Sequence, residues 1–308
     1  MSHEEEENKK PRVDEAIVEL TDAHAHLQDK RLGETQDAIA TYLSRARERG
    51  VVRVVCSATS PADWNAVAKI ARENAGVVPT FGVHPWYCGK ISGDWLATLA
   101  RILEVFLCRD GATRAGIGEV GLDFAVRDCD DELKSRQEAI FRAQLELANL
   151  RKLPVVVHSV RANSRALAIM GEYKNVPAWL LHGWRGTRSE VERAAELGAF
   201  FSFSSRQTTS RSELARETIV AAPRDRILLE SDSPNPVPPN GYGGRAPSWQ
   251  GKLVQARDER GFIIPEPASV VDVVAELAGI RKTRPEELAR QIAVNERRFF
   301  ASWQKKAD

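Results

Sequence analysis

The sequence has no apolar run approaching the roughly 18 residues of a membrane helix, so no membrane contact is expected. Cysteine is scarce: Cys56, Cys88, Cys108 and Cys129 are scattered and form no Cys-x-x-Cys pair, which points to reduced thiols in a reducing, intracellular setting. Charge of one sign is missing too. The 44 Lys and Arg residues against 43 Asp and Glu leave a net charge of +1, so no global positive field advertises nucleic acid and phosphate binding falls to local arginines. The acidic N-terminus has no hydrophobic core, which argues against a signal or transit peptide. Residues 1–14 are expected to be a disordered tail, with His3 a bystander, and residues 15–308 a single domain. A cytoplasmic location fits this composition, with the nucleus open.

What is present is a globular composition, 43% hydrophobic and 28% charged, over 308 residues. Strand and helix patterns alternate along it. Strands are expected near 16–24, at Val51–Ser57, Val77–Val83, Ala115–Val120, Pro154–Val157, Ala178–Leu181, Phe200–Phe203 and Ile227–Glu230. Helices are expected at 35–49, from a Ser60 cap followed by Pro61, at Trp95–Cys108, over Asp130–Arg151, at 162–173, and from a Thr187-Arg-Ser-Glu190 capping box to Gly198. In the long helix, Leu133, Ile140 and Leu147 recur every seven residues on the expected buried face. Eight short apolar strands alternating with helices predict an α/β fold of the TIM (β/α)8 type. Residues 233–268, rich in Pro and Gly, interrupt the pattern and predict a lid or substrate wall, before two closing helices at 269–279 and 285–303.

The chemistry collects where strands run out. Val18-Glu-Leu-Thr-Asp-Ala-His24-Ala-His26 ends in two imidazoles, Gly116-Ile-Gly-Glu119 in a carboxylate, and Pro154-Val-Val-Val-His158 and Ala178-Trp-Leu-Leu-His182 in one imidazole each. Ile227-Leu-Leu-Glu-Ser-Asp232 ends in an aspartate. Singly, each has an ordinary reading as a hydrogen-bonded core histidine or the partner of an arginine. In a barrel, however, all strand C-termini meet on one face, where active sites sit. His24, His26, Glu119, His158, His182 and Asp232 suit divalent ions, whether Mg, Mn or Zn. Six ligands exceed the needs of one tetrahedral ion, so a dinuclear centre with ions about 3.5–4 Å apart is expected at the C-terminal face of the strands. Asp22 reads equally well as the carboxylate that fixes an imidazole and as a structural one.

The stretches Asp22-Ala-His-Ala-His26, Gly82-Val-His84-Pro85, Ile117-Gly-Glu119-Val-Gly-Leu-Asp123-Phe, Gln137 to Gln144 before His158-Ser, and Leu228-Leu-Glu-Ser-Asp232-Ser-Pro resemble the TatD family of metal-dependent deoxyribonucleases, of the amidohydrolase superfamily. The resemblance spans about 17–301. It implies hydrolysis of phosphodiesters from the 3′ end of DNA. It also implies that His24, His26, Glu119 and Asp232 hold one ion and Glu119, His158 and His182 the other, with His84 beside the substrate phosphate. The chain departs from the family pattern at Trp86, at Val160 before Arg161, at His182-Gly-Trp184, and at Arg245-Ala-Pro247. These departures lie on the substrate side.

The expected reaction is therefore attack by a metal-activated water, with Glu119 and Asp232 as the catalytic carboxylates. Arg161, Arg185 and Arg245 are expected to hold phosphates, and Trp86 and Trp184 either stack an unpaired base or simply pack the barrel mouth. Single-stranded DNA ends are the expected substrate, and no obligate protein partner is indicated. The rival readings are a small-molecule amidohydrolase, an aminoacyl-tRNA deacylase with the same metal kit, and a non-catalytic binding protein on a retained barrel.

Overall fold

The protein is described from a computed structural model covering residues 18–33, 36–106, 115–253 and 256–303. The expected tail at 1–14 and Cys108 lie outside these residues. Among the described residues, eight parallel strands follow one another in sequence order around one sheet. They are β1 (Leu20–Ala25), β2 (Val51–Ser57), β3 (Val77–Phe81), β4 (Gly116–Asp123), β5 (Val155–Val160), β6 (Trp179–Leu181), β7 (Phe200–Phe203) and β8 (Ile227–Leu229). The circle closes just beyond β8, where the Asp232 N–H donates to the His24 carbonyl (3.1 Å) and the His26 N–H to the Ser233 carbonyl (2.7 Å). The expected TIM barrel is the fold of the chain.

The helices are α1 (Gln36–Glu48), α2 (Trp64–Glu73), α3 (Trp95–Glu104), α4 (Asp131–Arg151), α5 (Asn163–Met170), α6 (Arg188–Glu196), α7 (Ser205–Thr208), α8 (Glu213–Ala221), α9 (Val270–Arg281) and α10 (Pro285–Trp303). Outward strand residues such as Val54, Val157 and Leu229 pack with helix residues such as Val67, Phe141 and Leu277 in the main core. A smaller core of Val55, Val156, Leu180, Phe200 and Leu228, closed by Phe299 and Phe300 of α10, fills the barrel below its mouth. Apolar burial of this kind contributes about 25 cal/mol per Å², and it fixes the frame from which the strand ends project.

Two local expectations are corrected. The turn after β2 is not opened by a Ser60 cap: Asp63 precedes α2, and its carboxylate accepts from the backbone N–H groups of Thr59 and Ser60. A carboxylate at that position satisfies the loop amides ahead of the helix, so the turn spans Ser60 to Asp63. In α4 the buried face is Gln137, Ile140, Phe141, Gln144, Leu145 and Ala148, and Leu133 and Leu147 only flank it. The glutamines are buried because their amides close onto backbone. Gln144 takes the Val83 N–H on Oε1 (2.6 Å), and Gln137 takes the Asp123 N–H (2.8 Å) while giving Nε2–H to the Asp123 carbonyl (2.9 Å). One helix thereby fixes the ends of β3 and β4. The Thr187–Glu190 capping box is present and starts α6.

The connection from β8 to α9 folds back against the barrel's side. Trp249 Nε1–H donates to Ser205 Oγ (2.8 Å), the Ser248 hydroxyl to Glu276 Oε1 (2.7 Å), and Val237, Trp249 and Ile263 form a small core of their own. Among its described residues, the first turn, at Asn235, reaches the cleft at the mouth.

Candidate metal centre

Simple strand alternation would give Glu119 the outward face of Ile117. A register shift between Ile117 and Val120 in the pairing of β4 with β5 turns the carboxylate toward the mouth instead. β1 shows a comparable shift between Asp22 and Ala25, flanking His24. Just beyond the shift, Gly121 lets β4 approach β5 closely: its φ is +143°, and a Cβ there would stand 1.9 Å from the His158 carbonyl oxygen.

Glu119 is the hub, 2% exposed. Its two oxygens face different imidazole groups, two at Oε2 and three at Oε1. Oε2 lies 3.4 Å from His24 Nε2 and 3.3 Å from His26 Nε2. Oε1 lies 2.7 Å from His158 Nδ1, 2.6 Å from His182 Nε2 and 3.2 Å from His84 Nε2. Asp232 stands with His24 and His26, their ligand atoms all within 4.8 Å of one another. Asn235 Nδ2–H fixes Asp232 Oδ1 at 2.8 Å. The six residues expected as ligands are thus brought together.

The outer contacts assign the tautomers of His26, His158 and His84. His26 Nδ1 is 2.8 Å from the Ser57 carbonyl, which can only accept, so that nitrogen carries the proton and Nε2 bears the lone pair. His24 Nδ1 rests on Ser57 Oγ at 3.1 Å. His158 turns Nε2 toward Asp123 Oδ2 (3.4 Å), which leaves Nδ1 for the centre. His84 is the opposite case. Its Nδ1 accepts the Trp86 backbone N–H (3.1 Å), so the neutral ring carries its proton on Nε2 and offers the centre a donor, not a lone pair.

These lone pairs fit a metal. His24 Nε2 and His26 Nε2 face each other at 3.2 Å, as do His158 Nδ1 and His182 Nε2, and two lone pairs at that distance require a proton or a cation between them. Without a metal, protons fill this need unevenly. Burial alone would lower His26 and His158, but hydrogen bonds to Glu119 and, for His158, to Asp123 outweigh it and raise each to about 9. Burial lowers His24 to about 3 and His84 to about 4. Burial would raise the Glu119 carboxyl, yet the imidazoles of His182, His84 and His24 hold it well below the usual carboxylate range. A buried carboxylate ringed by imidazoles is a cation site by its charge as well as its geometry.

The centre floors a cleft of about 680 Å³. Trp86 lines it, 59% exposed, with its indole N–H donating to Asp123 Oδ2 at 2.7 Å. Arg185 lines it on the β6 side. Three expected substrate contacts are not in the cleft. Trp184 is 1% exposed and packs beneath the β6–α6 turn, with Nε1 unpartnered among the described residues. Arg161 lies past the mouth because β5 continues through Val160, and it borders a shallow groove beside α5 instead. Arg245 is exposed in the connection that Ser248 and Trp249 pin to α9 and α7.

Further residues, not among the expected contacts, belong to the site. Arg206 lines the cleft from α7, whose capping box of Ser204 and Gln207 was a legible signal. Among the described residues neither Arg185 nor Arg206 is ion-paired, and burial and then Arg206 lower the Arg185 guanidinium from its ordinary value. Asp123, Ser57 and Glu230 stand directly behind the imidazoles. Asp22 holds no imidazole among the contacts described: its carboxylate takes the Ser231 N–H (2.9 Å) and ties β1 to the strand that closes the barrel.

A (β/α)8 barrel with a mixed imidazole and carboxylate cluster at the carboxyl ends of its strands defines a metal-dependent hydrolase. The family model described as TatD related DNase matches residues 21–301, and the chain belongs to that family. It is 30% identical over 284 residues to a protein of Erwinia tasmaniensis named 3′-5′ ssDNA/RNA exonuclease TatD, covering 91% of this chain and 99% of that one. It is 28% identical over 229 residues to the Escherichia coli K12 protein named uncharacterized metal-dependent hydrolase YjjV, covering 74% of this chain and 84% of that one. The crystal structure of the TatD homologue YjjV from Escherichia coli K12 shares the fold, with a TM-score of 0.75 at 24% identity, over 92% of this chain and 98% of that one.

Proposed function

We propose that the protein removes nucleotides from the 3′ end of single-stranded DNA, using two divalent ions held at Glu119. The division of the Glu119 oxygens carries this reading: one faces His24 and His26, the other His158 and His182. In the resulting assignment His24, His26, Glu119 and Asp232 hold one ion, and Glu119, His158 and His182 the other. Bound there, the ions supply a more acidic water and positive charge beside the phosphoryl oxygens.

The chain's own groups do the rest. Asp232 is held at Oδ1 by Asn235 and has Oδ2 to accept a proton from the attacking water. His84 Nε2–H donates to a phosphoryl oxygen, its ring fixed from behind by the Trp86 N–H. Arg185 and Arg206 take the neighbouring phosphates on the β6–β7 side, and Trp86 offers an exposed ring to an unpaired base on the β3 side. A cleft of about 680 Å³ has room for a strand end. Two arginines in the wall, neither ion-paired among the described residues, favour a polyanion over the neutral substrates of small-molecule amidohydrolases. The relatives named 3′-5′ ssDNA/RNA exonuclease are consistent with this polarity and leave RNA as a companion substrate.

The test is cleavage of end-labelled single-stranded and duplex DNA, with Mg or Mn and with chelator, beside Glu119→Ala. Stepwise shortening from the 3′ end of the single strand is expected, lost with chelator and in the variant. A protein that binds two metal equivalents and leaves every end intact overturns the proposal.

A further inference from the structure

Trp86 is solvent-exposed and yet tied to the centre. Its indole N–H reaches Asp123 Oδ2 at 2.7 Å, the same oxygen lies 3.4 Å from His158 Nε2, and the other nitrogen of that imidazole lies 2.7 Å from Glu119 Oε1. Asp123 is itself immobilised. Gln137 grips its backbone N–H and carbonyl, and the Ala125 N–H donates to Oδ1 at 2.8 Å. Asp123 Oδ2 is therefore the oxygen that the indole and the imidazole share. The ring edge is clamped as well, because the Trp86 backbone N–H donates to His84 Nδ1 and the two rings meet edge to face at 4.9 Å.

The geometry points to Trp86 as a positioning residue for the metal ligand His158, acting through Asp123, so that the base-binding wall and the metal centre are one mechanical unit. A tryptophan supplies what a phenylalanine there would not: a donor to the carboxylate oxygen that His158 Nε2 faces. Such outer carboxylates fix the tautomer and ring angle of a ligating histidine, and losing one lowers metal affinity by about 10–100-fold.

The inference rests on His158 being a metal ligand, as proposed above, and the experiment separates the two. Calorimetric titration with Mn2+ alone is run on the full chain and on His158→Ala, Trp86→Phe, Asp123→Asn and the Trp86→Phe/Asp123→Asn double variant. Circular dichroism and melting confirm that each is folded. Loss of one Mn2+ equivalent in His158→Ala establishes the ligand; no loss defeats the ligand reading and this inference with it. Given that loss, Trp86→Phe, which keeps the ring and removes the N–H, is expected to weaken the same equivalent about tenfold, and Asp123→Asn by about 10–100-fold. The double variant is expected to match Asp123→Asn, since one residue acts through the other. Unchanged Mn2+ affinity in Trp86→Phe, or additive losses in the double variant, overturns the inference while leaving the metal centre intact.

Discussion

Glu230 Oε2 lies 3.8 Å from His182 Nδ1, in a cradle where it also receives the Gly183 N–H and the Ser202 hydroxyl, while Oε1 has no hydrogen-bond partner among the described residues. Burial, and then the charge of Asp232, raise this carboxyl well above its ordinary value. The His182 Nδ1 likewise lacks a close partner among the described residues. A cation on Nε2 makes Nδ1–H a stronger donor, and Glu230 is the acceptor within reach. The charge of a bound cation also favours the ionised form of this raised carboxyl, and Glu230→Gln keeps the shape while removing the carboxylate so formed. Metal affinity is expected to fall about 10–100-fold with little loss of melting temperature in the metal-free protein. Titration with Mn2+ measures it, and unchanged affinity would show that Glu230 serves only to brace Ser202 and Gly183.

Metal binding should be strongly pH-dependent, and the sign follows from the imidazoles. In the metal-free protein His26 and His158 are raised from 6.5 to about 9, so each contributes stability that is fully present below pH 6.5 and is lost as pH rises through 9. A metal must displace those protons. Affinity for Mn2+ should therefore climb between pH 6.5 and 9 by about one decade per pH unit for each proton released. The melting temperature of the chelator-treated protein should fall over the same window, with saturating metal opposing the fall. Flat affinity across this range would mean that the protons reside elsewhere.

How much of this centre was legible from the chain depends on what periodicity can encode. The barrel and the ligands at strand ends were, because buried parallel strands leave apolar runs and polar residues at their ends stand out. The contacts behind the ligands were not. Asp123 lies inside a motif, yet nothing in its spacing shows that it faces His158 rather than the metal. Glu119 points into the mouth only because of a register shift that alternation does not predict. Arg161 falls outside the cleft because β5 runs on through Val160, and of the two readings open for Trp184 the packing one fits, since the turn after His182 tucks it under while presenting Arg185.

Arg185 and Arg206 should separate binding from chemistry. They line the cleft on the side away from Trp86 and have no ion-pair partner among the described residues. Arg206 instead sits 5.3 Å over the Tyr242 ring, and this stacking leaves its charge unneutralised. Replacing either by Ala should raise KM for single-stranded DNA several-fold with kcat within about twofold. The slope of log affinity against log salt should shrink by about 0.7 per lost phosphate contact. A fall in kcat at unchanged KM would instead place these arginines on the scissile group itself.

At the opposite end of the barrel, Glu296 of α10 offers a test of stability that the metal does not touch. Its side chain is 4% exposed and accepts the Thr21 backbone N–H at 2.9 Å, tying the last helix to β1. Burial raises its carboxyl from 4.5 to about 8, against the lowering effect of the Thr21 hydrogen bond. Between those values the folded protein holds a proton that the unfolded chain has released, so stability declines as pH rises from 4.5 to 8. The slope for one such group is at most about 1.4 kcal/mol per pH unit. Glu296→Gln carries no ionisable proton and still presents an acceptor to Thr21. Its melting temperature should therefore be nearly level with the parent near pH 4.5 and exceed it progressively toward pH 8. Thermal melts across that range, with chelator present in both samples, decide the matter: parallel curves for parent and variant would show that Glu296 is ionised in the folded protein, paired with a charge such as that of Arg53.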